Sequence, residues 1–173
     1  MTRADPQAEP VLETCAAGLA AAERLLESLQ RELRLLLAAP AADPADPADP
    51  LTREQHRAHG CAWTATYVQA LREMLDWSRR LAAAGQLGEL ETLLLRAAYA
   101  EYLAQLAGGV PMSQGEIFRP ESMPGAAEAL SRYAADPAVA ALRRDGFSPA
   151  VRRRIAARLA DGRTARQFGD PAY

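Results

Sequence analysis

The chain has 173 residues, 20 arginines, no lysine and a formal charge of −2. Apolar residues make up 49% but aromatics only 6%, so any core must be built mainly from Ala and Leu. This balance excludes a global basic field for gathering nucleic acid, and the scarcity of Val and Ile favours an all-α chain over a sheet protein.

One domain of ordinary size fits this length. GC-rich codon usage accounts most simply for the all-arginine basic set. No apolar run reaches the ~18 residues that a membrane span needs. The N-terminal stretch MTRADPQAEP has no apolar signal core. The expectation is a cytoplasmic protein with neither a membrane nor a nucleic-acid partner. Cys15 and Cys61 read as buried free thiols.

Residues 1–8 are polar and proline-containing and read as a disordered arm. The domain proper is expected over 9–162. Its first helix, 9–39, carries Leu12, Cys15, Leu19, Ala22, Leu26, Leu29, Leu33 and Leu36 at alternating steps of three and four. Leu25, Leu35 and Leu37 widen that face. Glu27 and Arg31 are spaced for an i,i+4 pair. Residues 40–50 hold three Asp-Pro pairs, which read as an extended linker.

Thr52 with Gln55 has the spacing of a capping box, opening a second helix over 53–84 that Gly85 ends. One row of this helix is His59, Trp63, Tyr67, Ala70, Met74, Trp77 and Leu81. A second row is Cys61, Ala65, Val68, Leu71 and Leu75. So wide an apolar surface suits the central helix of a bundle. Trp63 and Trp77 read as core residues, with stacking on a flat ligand as the alternative. His56 and His59 share a face, but they have no carboxylate or Cys partner in a metal-ligand pattern.

A third helix is expected over 88–107, with Leu90, Leu94, Ala97, Ala98, Leu103 and Leu106 inward and with Glu101 and Gln105 on one face. Gly108-Gly109 releases the backbone. Ser113 and Glu116 read as another capping box, starting a short turn or helix that Pro120 stops. Shorter helices follow over 125–135, 137–145 and 149–161, the last two opened by Asp136-Pro137 and Ser148-Pro149. Arg143, Arg144, Arg152, Arg153, Arg154 and Arg158 form a basic patch. A solvated face is its plain reading, and a surface for phosphate or an acidic partner its alternative. Residues 163–173 read as a mobile tail. The whole is an all-α antiparallel bundle of five to seven helices.

Chemistry-bearing motifs are few. There is no Walker loop, no dinucleotide fingerprint, no G-x-S-x-G elbow and no paired Cys-x-x-Cys. No catalytic residue is assigned, and no metal or cofactor is expected on this chain alone. The segment from Gly108 to Arg119 is the most specific part. Two glycines allow close backbone approach and positive φ, and the small polar residues after them suit a phosphate- or amide-rich edge. Glu116 and Arg119 are three apart and spaced to pair with each other or to flank a polar ligand. In the plainer reading the segment is only a helix connection, with Glu116 capping and Arg119 bonding loop carbonyls.

The run from Trp63 to Met123 resembles the C-terminal helical bundle of flavin-dependent acyl-CoA dehydrogenases, in which a Gln, two residues and Gly-Gly precede a loop with Glu and Arg. Here these are Gln105, Gly108, Gly109, Glu116 and Arg119. The phrases EQHRAHGCAWTATYVQALREM, AEYLAQLAGGVPMSQGEI and RPESM further resemble the helical extension that precedes the core of the methylsuccinyl-CoA dehydrogenases. The resemblance covers about residues 51–125. It implies that Gln105, Gly108 and Gly109 derive from a turn lying near the adenine and pyrophosphate of FAD, with Ser113, Gln114, Glu116 and Arg119 completing the candidate cofactor-binding set. Pro111 departs from the pattern, which has glycine there, and Glu116 and Arg119 sit at unusual offsets. The implied role is a non-catalytic module that docks on a flavin-dependent acyl-CoA dehydrogenase subunit or on itself. Two alternatives are a loop that completes an FAD or acyl-CoA site, and a helical small-ligand or regulatory protein that uses Trp63, Tyr67 and Trp77.

Overall fold

A computed structural model describes residues 5–40 and 48–161. The expected arm and linker are therefore only partly within the described residues, and the expected tail and Gly162 lie outside them. Seven α-helices, one two-stranded hairpin and one 3₁₀ turn are found among the described residues.

The first helix, α1 (Ala8–Ala38), stops where Ala39 turns extended, as a residue before proline must. Its inward face is Val11, Cys15, Leu19, Ala22, Leu25 and Leu29. Leu25 thus belongs to the centre of the face, whereas Leu12, Leu26, Leu33 and Leu36 flank it. Leu35 is exposed. Arg31 turns to Glu32 at 3.7 Å rather than to Glu27.

The next helix begins earlier than the sequence suggests. Asp49 caps α2 (Pro50–Arg53) by accepting the N–H groups of Leu51 and Thr52 at 2.9 and 3.1 Å. Thr52 also donates its hydroxyl to Asp49, so the expected Thr52–Gln55 capping box does not form. These bonds hold the Asp49 carboxyl below its ordinary range, the Thr52 hydroxyl contributing most. A short break at Glu54 leads into α3 (Gln55–Ala83). Gly85, at φ 65°, closes that helix. Its N–H donates to Ala82 O, and the Gln86 N–H donates back to Leu81 O, which together make a Schellman end.

The inward row of α3 is Cys61, Thr64, Val68, Leu71, Leu75 and Ser78. The row from His59 to Leu81 lies outward. Trp63, Tyr67 and Met74 are half-buried, and Trp77 is exposed rather than in the core.

The most enclosed helix is α4 (Glu89–Gly108), which packs against α1, α3, α6 (Pro137–Gly146) and α7 (Pro149–Ala160). It, not α3, is the central helix. Leu93, Leu95, Tyr99, Ala100, Leu103 and Leu106 are buried, whereas Leu94 is exposed and Leu90, Ala97 and Ala98 are half-buried. A helix buried on several sides has no single stripe to read. Two buried tyrosines tie it in. Tyr99 donates to Leu71 O at 2.7 Å, and Tyr133 of α5 (Ala127–Ala135) donates to Leu103 O at 2.9 Å. Burial pushes both phenols above their usual range.

The proline-led starts of α6 and α7 are as read. Asp136 caps Ala138 and Val139, and Ser148 caps Val151. The basic patch is partly spent on ion pairs. Arg154 and Arg158 both engage Glu89 at the start of α4, and Arg144 pairs with Asp145. Both cysteines are buried and free. Among the described residues no helix is long and apolar enough to cross a membrane.

Candidate functional site

A β-hairpin occupies the segment after α4, where the sequence suggests a short turn or helix. Strands β1 (Val110–Ser113) and β2 (Glu116–Phe118) pair antiparallel, with Val110 opposite Phe118, Pro111 opposite Ile117 and Ser113 opposite Glu116. Val110, Met112 and Phe118 point inward and are buried. Pro111, Ser113, Gln114, Gly115 and Ile117 are exposed. Gly115 takes φ 81° at the second loop position, where a positive φ favours glycine.

The hairpin is clamped to the start of α3. The Phe118 ring lies against Gly60, where a β-carbon would stand only 2.1 Å from the ring. One turn earlier, His56 Nδ1 is 3.2 Å from Glu116 Oε1, and the His56 ring meets Phe118 edge-on. The other Glu116 oxygen accepts from the Ser113 hydroxyl at 3.2 Å. Ser113 and Glu116 therefore pair across a β-turn and form no helix cap. Arg57 adds a bond to Ser122 O at 3.4 Å. His56 and His59 have different partners. Among the described residues no group of three or more potential ligands is close enough to hold a metal, and His59 accepts the Trp63 indole N–H.

Arg119 does not pair with Glu116. Its guanidinium donates to Gly108 O at 2.9 Å, placing a cation on the carbonyl end of α4, where the helix dipole favours it. The two glycines have different tasks. Gly109 takes φ 146°, and a β-carbon there would meet Ile117 at 2.7 Å and Arg119 at 3.2 Å. At Gly108 a β-carbon would meet nothing within 4 Å. Gly109 shapes the turn, and Gly108 stands at an open surface. Gln105, one turn back, accepts the Gly109 N–H through its carbonyl and donates its side-chain amide to Glu101 at 3.4 Å.

Gly108, Gly109 and Arg119 are thus brought together, as are Ser113 and Glu116 with His56. Gln114 stands at the exposed tip, and Gln105 bonds along its own helix. These groups form an edge rather than an enclosing pocket. A cavity of about 420 Å³ lies elsewhere, between α1 and α5, lined by residues including Arg24, Ser28, Tyr133 and Asp136. As to a dinucleotide such as FAD, the Gly109 amide is already spent on Gln105. What the edge still offers is the open space beside Gly108, the remaining N–H groups of the Arg119 guanidinium and the tip residues. This donor set fits one wall of an anion or amide site.

Fold and edge together define an all-α helical module that carries a clamped glycine hairpin. The particular similarity is to (2S)-methylsuccinyl-CoA dehydrogenase of Cereibacter sphaeroides, at 40% identity over 119 residues, which is 69% of this chain and 21% of that protein. The chain spans about a fifth of the length of that relative. No protein-family model matches the chain, and no solved structure does.

Proposed function

We propose that this chain serves as a non-catalytic helical module of a flavin-dependent acyl-CoA dehydrogenase assembly of the methylsuccinyl-CoA type. It docks on the dehydrogenase body or is joined to it, in the cytoplasm, and shapes the assembly without doing chemistry. The observation that carries this reading is the 40% identity over 119 residues to one-fifth of such an enzyme. The test is size-exclusion chromatography of the chain alone and after co-expression with that dehydrogenase, following flavin absorbance. A colourless chain that co-elutes with the yellow enzyme is the expected result. Separate elution under native expression overturns it.

A second reading is favoured by the geometry of the hairpin. Its base is fixed by Phe118 on Gly60 and its tip is exposed, as suits an element presented to something else. On this reading Gln105, Gly108, Ser113, Gln114 and Arg119 complete one wall of an FAD or acyl-CoA site whose other walls come from the dehydrogenase. FAD would supply the redox chemistry, and these residues would only bind and orient. Substitution of Gln105→Ala or Gly108→Glu is expected to lower the flavin content of the complex while leaving the fold intact. Unchanged flavin content and turnover reject the reading.

A further inference from the structure

The outer face of the α3–α4 pair carries more aromatic surface than the core needs. Both tryptophans of the chain are on it. Trp63 and Tyr67 are one turn apart on α3, and Met74 and Trp77 continue the row. Tyr67 meets Tyr102 of α4 with ring centroids 4.8 Å apart. Trp77 is 39% exposed and Leu94 41%, although Leu71 and Leu75 on the opposite side of α3 already fill the core. Large aromatics held half-buried by their own fold are what a protein interface uses as anchors. Charges of both signs flank the row, with Arg79 paired to Asp76, and Glu73 and Arg80 exposed, which leaves a polar rim without a strong field of one sign.

This face is continuous with the hairpin. Gly109 directly follows α4, two turns beyond Tyr102. Ile117, 42% exposed, lies over Gly109. One surface thus runs from the glycine turn along two helices to Trp77. In the similar dehydrogenase, about four-fifths of the polypeptide lies outside the matched span, so there the matching helices have a large attached neighbour.

We propose that the α3–α4 outer face, centred on Trp77 and Leu94, is the surface on which the dehydrogenase body seats. The proposal rests on the docking reading above and adds the face to it. The test places a photo-reactive phenylalanine analogue at Trp77 or Leu94, or at exposed Glu128 of α5 as a control, in the full chain within its native host. Cross-linked products are identified by mass spectrometry. Adducts to a flavin dehydrogenase polypeptide are expected from the first two positions and not from the third. The Trp77→Glu, Leu94→Glu double variant, with unchanged circular dichroism, is expected to co-elute with at least tenfold less dehydrogenase. Adducts to the dehydrogenase from Glu128 alone overturn this face but leave docking standing. No dehydrogenase adduct from any position overturns this face, and the co-elution test above then decides docking itself. Adducts from Trp77 to a second copy, or to another part of the same bundle, give the face a different occupant and overturn the proposal.

Discussion

Phe118 occupies the space that a side chain at Gly60 would need, with the ring 2.1 Å from where the β-carbon would lie. Nearly sixty residues separate the two, so this contact fixes the hairpin to α3 through tertiary packing alone. Gly60→Ala is expected to destabilise the protein by about 1–3 kcal/mol, the usual cost of overpacking. Phe118→Ala is expected to cost about 3–5 kcal/mol through the cavity it leaves. Urea unfolding measures both. Hydrogen exchange should show Val110–Phe118 opening first in the Gly60 variant.

Much of the bundle is legible in the sequence because amphipathic spacing reports helices directly. α1 and α3 each lie within a few residues of their expected span, and the Asp136-Pro137 and Ser148-Pro149 starts hold. What escapes has specific causes. Asp49-Pro50 carries the same cap signal, but it closes a repeat of Asp-Pro pairs and reads as linker. The hairpin has only three inward residues, Val110, Met112 and Phe118, too few to display a period of two. Ser113-x-x-Glu116 satisfies a helix-cap pattern and a cross-turn pair equally well. Of the candidate site, the Arg119 contact with a loop carbonyl is among the readings open from sequence, but the partnership with His56 and Gly60 is not. The one available hint is Gly60 itself, since a glycine inside a helix costs about 1 kcal/mol and needs a packing reason.

The adjacent glycines should respond in opposite ways. Gly109→Ala is expected to lose on the order of 1–3 kcal/mol, because it combines an unfavourable φ with a clash against Ile117. Gly108→Ala faces open space at the last helical position and should be neutral or gain up to roughly 1 kcal/mol. Chemical denaturation midpoints of the two variants give the comparison.

Acid should loosen the junction of α4 and α7. The Arg154 guanidinium, followed by Arg158, holds the Glu89 carboxyl below its ordinary value of 4.5. A carboxyl lowered on folding adds stability above its unfolded pKa, and that stability is lost as pH falls through the folded value. Glu89→Gln should therefore flatten the acid limb below about pH 4.5 and leave the shape of the profile above it unchanged. Thermal melts across that range read the difference.

Both thiols should be inert in the folded protein. Burial raises Cys15 to about 12 and Cys61 to about 11, so almost no thiolate is present at neutral pH. Alkylation by iodoacetamide is expected to be slow in buffer and fast for both cysteines in denaturant. Rapid labelling of either one under native conditions would contradict the burial described.

The division of labour within the hairpin bears on how such a segment can change over generations. The contacts that fix it to the bundle come from its base, its inward residues and Glu116, which reaches His56. Ser113, Gln114 and Gly115 at the tip face outward, and apart from the Gly115 turn they owe little to the core. Substitution or lengthening there can be sampled without unfolding the bundle, whereas Gly60, Gly109 and Phe118 cannot drift. The chain thus has a tunable tip mounted on an immobile socket, with recognition and stability assigned to different residues.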